Sequence, residues 1–306
     1  MITDVLVSGA LATAPAFIAY YLTALGHGFF EKSGVLNLAI DGVFYLSVAV
    51  AYATAVYTHG PWGALAITMA VASVFGMLIA YLTTKFPVSH GAVGLSVMFL
   101  GYGIGALIGN PAVFAYRDLR SRGVMFDIRL PTEPVARALM YVTAVLAGLA
   151  ILYLTGRTKL GAAVRAAGEN PHAASALGVD VLRVRLIAGA IGYALIGAGA
   201  TFFELAWLPT WQQLQGMGHG WLAFAISLSA GRHPLLTMVT SATFAGLLTY
   251  QYALQAAYNL SPEVAKMVPF IAAIVAMVLF MATPLRRRLA PPLSLGKVYF
   301  KEERTV

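Results

Sequence analysis

The chain is dominated by stretches of about 20 uncharged, apolar residues, the length at which an α-helix spans the roughly 30 Å hydrocarbon core of a bilayer. Val5 to Gly26 carries no charge, nor does Gly91 to Ile108, and Trp62 to Thr83 follows Pro61, a residue suited to a helix start. Ala138 to Thr155, Leu186 to Trp207, Leu235 to Ala257 and Val268 to Leu285 are of the same kind; Leu36 to Tyr57 joins them while holding Asn37 and Asp41. Such segments cannot share a water-soluble core. Residues are 59% hydrophobic and only 10% charged, against roughly 25% charged in an ordinary soluble domain. Too little polar surface exists to cover a soluble fold, so lipid must serve as the second solvent. The expected fold class is an all-α integral membrane protein, a polytopic bundle of about 8–10 transmembrane helices including broken or half helices. Residues 1–306 read as one transmembrane domain. The chain has no Cys, which excludes disulfides and thiolate metal sites, and only Asp4 is charged before the first apolar run, which is therefore expected to be retained.

Lys and Arg outnumber Asp and Glu by 20 to 12, an excess that reads as cytoplasmic loops near anionic headgroups, with no nucleic-acid partner. Arg157, Lys159, Arg165, Arg183 and Arg185 collect in the 156–185 loop; Arg286, Arg287, Arg288, Lys297, Lys301 and Arg304 collect in the 286–306 tail. Both segments are expected in the cytoplasm, so an even number of crossings must separate them. Three full-length spans do so, and the short run WLAFAISLSA from Trp221 must supply the fourth. Counting back gives about nine crossings with the N-terminus outside. The Asn110 to Glu133 loop then lies outside with a net charge of +1, four Arg against three acids.

The 156–185 loop contains a local helix signal. Asn170 can cap, Pro171 suits a first turn and Gly178 can stop, which predicts a helix over Pro171 to Leu177 with small residues Ala173, Ala174 and Ala176 along it. It reads either as an amphipathic loop on headgroups or as a docking helix for a cytoplasmic partner. Polar intrusions mark the apolar segments. Asp41 lies at membrane depth, where a carboxylate costs at least about 2.5–3.5 kcal/mol; it either touches solute or braces a broken helix. Glu204 lies near the outer end of its span, among Trp207, Trp211 and Trp221, where it either lines the mouth of a pathway or stays hydrated at the interface. The tryptophans read as an interfacial belt or a stacking platform. Phe44, Tyr45 and Phe99 are further stacking candidates. Ala190, Ala194 and Ala198, with Gly189, Gly192, Gly197 and Gly199 nearby, form a small-residue pattern that permits close helix approach. No phosphate loop, metal-ligand spacing or catalytic order is present in the sequence, and Asn259-Leu260-Ser261 is a formal glycosylation sequon. The buried acids also admit an ion-coupled carrier, with Asp41 and Glu204 as proton or sodium sites.

The run from Gly156, GRTKLGAAVRAAGENPHAASALGVDVLRVRLIAGAIGYALIGAGA, resembles the cytoplasmic loop and following helix of ABC-importer permeases of the branched-chain amino acid, ribose and nucleoside group. EKSGVLNLAIDG, Glu31 to Gly42, is similar to the E-R-S-G-V-x-N-I-G-x-E-G signature of the nucleoside branch, whose binding protein is a basic membrane lipoprotein, with Asp41 where Glu is usual. GHGWLAFAISLSAGRHP resembles the G-R-G-[FW]-I-A-L-A segment of the same branch. The resemblance covers about Leu22 to Leu247. It implies a cell-membrane permease subunit that hydrolyses nothing itself and imports nucleosides or related sugar-containing solutes, with branched-chain amino acids or simple sugars as alternative cargo. It also implies ATPase subunits that bind ATP and Mg, a second permease chain and an extracytoplasmic solute-binding protein. Gly168, Glu169, Asn170, Pro171, Ala173, Ala174 and Gly178 would then form the ATPase-coupling surface. Glu31, Ser33 and Gly34 would form the signature loop, and Asn37, Asp41, Gly42, Phe44, Phe99 and Trp221 would line the solute pathway. Arg117, Arg120 and Arg122 would dock the binding protein.

Overall fold

A computed structural model describes residues 2–259 and 261–300. Its helices are α1 (Ile2–Ala12), α2 (Ala14–Glu31), α3 (Ile40–Tyr57), α4 (Trp62–Lys85), α5 (His90–Ser121), α6 (Pro134–Arg157), α7 (Lys159–Glu169), α8 (Pro171–Ala176) and α9 (Val181–Phe202), which a π turn, Phe203–Trp207, extends. Then follow α10 (His219–Ser229), α11 (Pro234–Tyr258), α12 (Pro262–Ala282) and α13 (Leu285–Arg288). Among the described residues, six helices are long and apolar enough to cross a bilayer: α3, α4, α5, α6, α9 with its π turn, and α12. The protein is a multi-pass membrane bundle.

Burial explains the segments that are less apolar. Every residue of α2 from Ala14 to Glu31 is buried, and α3 is buried along nearly its whole length. A helix enclosed on all sides meets neighbours rather than lipid, so α2 tolerates Thr23, His27 and Glu31 where a lipid-facing helix would not. The outer helices α4, α5, α6 and α12 instead expose large apolar side chains such as Trp62, Leu107, Leu146 and Ile274.

Glycines set the closest approaches. On α9, Gly192 packs on Gly26 of α2 and Gly189 on Gly76 of α4; Gly197 lies against Thr68, and Gly199 against Ala19 and Thr23. The glycines, more than the alanine row, thus seat α9 between α2 and α4. At the α3–α5 crossing, a Cβ on Gly42 would overlap the Met98 carbonyl and one on Gly101 would overlap that of Gly42.

Two helix boundaries differ from expectation. The uninterrupted crossing expected over Val5 to Gly26 is broken at Thr13, because Pro15 fixes a new first turn and Thr13 turns back onto the Ala10 carbonyl at 2.8 Å. The Asn110 to Glu133 loop is helical as far as Ser121: α5 continues through the exposed Pro111, which removes a single donor from the ladder. Lys301 and Arg304 of the expected tail, and Leu260 of the sequon, lie outside the described residues.

One end of the bundle is basic. The Arg185 Nε donates to the Ser33 carbonyl at 3.1 Å, Leu36 N–H meets His90 Nδ1 at 3.2 Å, Arg232 meets Glu31 at 2.5 Å, and Gly296 N–H reaches the Gly34 carbonyl at 3.2 Å. These contacts gather the 31–36 turn, the starts of α5 and α9, the α10–α11 corner and the chain's last described segment.

Candidate functional site

Two crossings are discontinuous and meet halfway. After α2 the chain turns at the basic end, is irregular over residues 35–39 and becomes helical again at Ile40. Likewise the irregular segment 208–218 leads from the π turn into α10, whose 11 residues cover only about 16 Å at 1.5 Å per residue. Both helix starts converge on Asp41. Its carboxylate accepts the N–H groups of Gly218 at 2.9 Å, Gly220 at 2.7 Å and Trp221 at 3.2 Å, together with the Tyr102 hydroxyl. Tyr102 stands twelve residues beyond His90 on α5, about 18 Å from the basic end, so the junction lies near mid-bilayer. A helix start there has orphan amides that lipid cannot satisfy. Asp41 supplies them from another helix and places its negative charge against the positive end of the α10 dipole. Gly218 makes the turn in the left-handed region at φ 87°. Asp41 is therefore placed as the brace of a broken helix.

Directly beside this junction, residues 207–222 with parts of α11 and α12 enclose a cavity of about 610 Å³, within the roughly 300–1,000 Å³ of small-molecule sites. Its lining combines the aromatic faces of Trp207, His219 and Phe270 with the amides of Gln212, Gln215 and Gln251 and the hydroxyls of Thr210 and Thr249. No charged side chain is among its described lining residues. His219 is oriented from behind by the Tyr20 hydroxyl, 2.5 Å from Nδ1, with its ring 4.7 Å from that of Phe203.

None of the six expected pathway residues lines this cavity. Asn37 is buried and bonds Tyr193 through its side chain at 2.5 Å and Glu31 through its N–H at 3.2 Å. Gly42 serves the α3–α5 crossing, Phe44 packs on Phe203, and Trp221 lends its backbone to Asp41 while its ring meets that of Phe224 edge to face. Phe99 is 66% exposed on the outer face of α5, because it falls on the side of that helix opposite the α3 contact made by Met98 and Gly101. Trp211 departs from the interfacial belt: it is buried, its ring lies against Gly109 and 5.2 Å from that of Tyr45, and its Nε1 donates to Asn110 at 3.1 Å. The cavity escaped the sequence reading because its irregular 208–218 segment has no periodicity; the cluster of Gln and Thr there was its only signal.

Glu204 is not hydrated at an interface. It is fully buried in the π turn, and neither carboxylate oxygen has a hydrogen-bond partner among the described residues. The 123–133 segment is tied to the same turn, with the Leu130 N–H bonded to the Leu205 carbonyl at 2.8 Å. At the same end of the molecule Arg117, Arg120 and Arg122 are exposed on the last turns of α5; Arg122 pairs with Asp118 at 2.8 Å, and Arg120 lies over the Tyr116 ring.

At the basic end, Glu31 is fully buried and held by Arg232 at 2.5 Å and by His27 at 3.3 Å. Ser33 bonds the Phe30 carbonyl at 2.7 Å, and Gly34, at φ 87°, lies against Arg185 and Ser294. Arg185, expected as a loop residue, is instead fully buried near the start of α9, where it holds the Ser33 carbonyl, Thr84 and the face of Tyr299. The helix expected over 171–177 is present as α8, capped by Asn170, whose Oδ1 accepts the Ala173 N–H at 3.0 Å, and stopped at Gly178 with φ 86°. Three of the seven expected coupling residues face inward: Gly168 abuts the Lys32 carbonyl, and Pro171 and Ala174 are buried. A helix of 6 residues must use one face to seat itself on the bundle. The outward surface is Glu169, Asn170, Ala173 and Gly178 with Leu177, which is 87% exposed and was not anticipated.

Residues 9–278 match the family described as branched-chain amino acid transport system / permease component. The chain is 26% identical over 245 residues to the putative glucose ABC transporter permease protein TsgC13 of Haloferax volcanii, covering 78% of this chain and 74% of that protein. It is 24% identical over 250 residues to the guanosine ABC transporter permease protein NupQ of Bacillus subtilis, covering 76% and 77% of the two chains. To the nucleoside ABC transporter permease protein NupC of Lactococcus lactis subsp. cremoris it is 23% identical over 244 residues, covering 74% and 76%. No solved structure matches the chain.

Proposed function

The chain belongs to the family of permease components of branched-chain amino acid transport systems, and from that membership we propose that it forms the path of an ABC importer for nucleosides or related sugar-containing solutes. The cavity beside the Asp41 junction carries this reading. Aromatic faces suit a base, and amides and hydroxyls suit a ribose. A zwitterionic amino acid would need buried partners for both charges, which the described lining does not offer. A simple sugar is the second reading, favoured by the Haloferax volcanii relative; it would use the same hydroxyl-bonding groups and need no stacking.

The experiment is uptake by the reconstituted importer, with its ATPase and binding protein, of guanosine, glucose and leucine. Guanosine is expected to be taken up best. Trp207→Ala should raise the half-saturating guanosine concentration by about tenfold, the equivalent of one lost stacking contact of about 1–1.5 kcal/mol. Preferred leucine uptake, or a Trp207→Ala permease with unchanged guanosine kinetics, would overturn the assignment.

In this reading the basic end faces the cytoplasm and α8 is the knob that an ATPase partner moves. Leu177 at its C-terminal end is its apolar anchor, with Glu169 and Asn170 exposed at its start. Leu177→Glu is expected to reduce ATPase co-purification and uptake by more than tenfold while leaving membrane insertion intact, since a fully desolvated anchor contributes at least about 2 kcal/mol to an interface. Equal co-purification would remove α8 from the docking surface. The opposite end would receive the solute-binding protein, with Arg117 and Arg120 as the charges free to meet it, and a second permease chain would complete the path.

A further inference from the structure

We infer a phosphate-binding site at the root of α7, in the cavity of about 200 Å³ that Lys32, Arg165, Arg232 and His233 line together with one acid, Glu169. The cations come from three separate elements: Lys32 from the turn after α2, Arg165 from α7, and Arg232 from the α10–α11 corner. Their convergence is built into the backbone. Gly168 abuts the Lys32 carbonyl, which brings α7 onto the end of α2, and Gly231 and Arg232 both adopt left-handed conformations, at φ 57° and 58°. That corner holds Arg232 with its Nε on Glu31, and the guanidinium still borders the cavity.

Glu31 is already engaged, and Glu169 in part. Glu31 is bonded to Arg232 and His27, and one Glu169 oxygen accepts the Leu293 N–H at 3.3 Å. Lys32 and Arg165 have no ion pair among the described residues. Burial, with the nearby charges of Arg165 and Arg232, lowers the Lys32 ammonium to about 8, and burial with the Lys32 charge lowers His233. Repulsion of this kind is relieved by an anion. Donors arriving from three directions match the oxygens of a tetrahedral phosphate better than the two oxygens of a planar carboxylate. The phosphate has two possible sources, a lipid headgroup or the free ion; the level of the site, at the basic end of the bundle, is within reach of both.

The test uses the full chain purified in detergent, as wild type, Lys32→Gln and Arg165→Gln. Thermal unfolding is followed against inorganic phosphate, with chloride at matched ionic strength as control. In a second arm the proteins are placed in nanodiscs of phosphatidylglycerol or phosphatidylcholine. Phosphate or phosphatidylglycerol is expected to raise the wild-type midpoint, and each substitution to weaken half-saturation by about tenfold, the effect of losing one hydrogen bond to a charged group. A response to inorganic phosphate identifies the free ion as a sufficient ligand; a response confined to phosphatidylglycerol identifies the headgroup. Affinity should also fall between about pH 7 and about pH 9 as Lys32, faced by Arg165, Glu169, Arg232 and His233, loses its proton. A wild type indifferent to phosphate and to lipid charge would overturn the site. So would an Arg165→Gln protein that responds as wild type does; this exposed position keeps the test open should Lys32→Gln fail to fold.

Discussion

Replacing Asp41 with alanine is expected to abolish transport and to destabilise the permease by several kcal/mol. The carboxylate accepts three backbone N–H groups and a tyrosine hydroxyl, and each buried donor left without a partner costs about 1–3 kcal/mol. Water cannot easily repair the loss at mid-bilayer depth. Asp41→Asn keeps one carbonyl oxygen and should lose less stability, while surrendering the charge that complements the α10 dipole, worth about 0.3–1 kcal/mol and up to about 2 when buried. Asp41→Glu restores the charge but carries the carboxylate one methylene beyond the position from which Asp41 meets the Gly218, Gly220 and Trp221 amides. Unfolding midpoints in detergent, paired with uptake in proteoliposomes, should therefore rank wild type above Asn and Asn above Ala. An alanine variant with wild-type midpoint and uptake would show that α10 starts without this carboxylate, and the account of the junction would have to be abandoned.

The second large effect is expected at the Glu31–Arg232 pair. Glu31 is fully buried and the Arg232 side chain is 12% exposed, so Arg232→Ala strands a buried carboxylate with only His27 and the Asn37 N–H beside it. Losing one partner of a buried pair costs about 3–5 kcal/mol. Removing both charges together costs much less, because no orphan remains. The double variant Glu31→Gln with Arg232→Gln is accordingly expected to be more stable than Arg232→Ala, and the double-mutant cycle should show a coupling of more than about 1 kcal/mol. Additive effects would mean that the pair does not join the end of α2 to the α10–α11 corner energetically. That corner, the 31–36 turn and the root of α7 meet around the pair, which places it on the route that the proposed coupling through α8 would take.

Local signals in the sequence were sufficient for much of the architecture. The apolar segments located the helices, Asn170, Pro171 and Gly178 located α8, and the short run from Trp221, expected as a fourth crossing, is the 11-residue α10. The same signals failed wherever a residue's environment depends on distant chain. Glu204 lies 3 and 7 residues before Trp207 and Trp211 and looked interfacial, but it is fully buried in a turn tied to the distant 123–133 segment. Arg185 sits in a basic loop sequence yet is fully buried beneath Tyr299. Trp211 has the type of a belt residue and fills a space beside Gly109. The carrier alternative, built on the two acids, gives way to the family match over residues 9–278, and Asp41 is occupied by backbone donors.

Which segments leave water is a property of contiguous composition: transfer free energy accumulates residue by residue along a helix, and so the membrane class and most spans are written in the order of the amino acids. Which polar group answers which is different in kind. Asp41 meets an amide 177 positions away and Glu31 a guanidinium 201 positions away. Hydrogen bonds and ion pairs act over a few ångströms, so these pairings exist only after α2, α3 and α10 have packed, and with them the mid-bilayer junction, the solute cavity and the basic pocket at the root of α7.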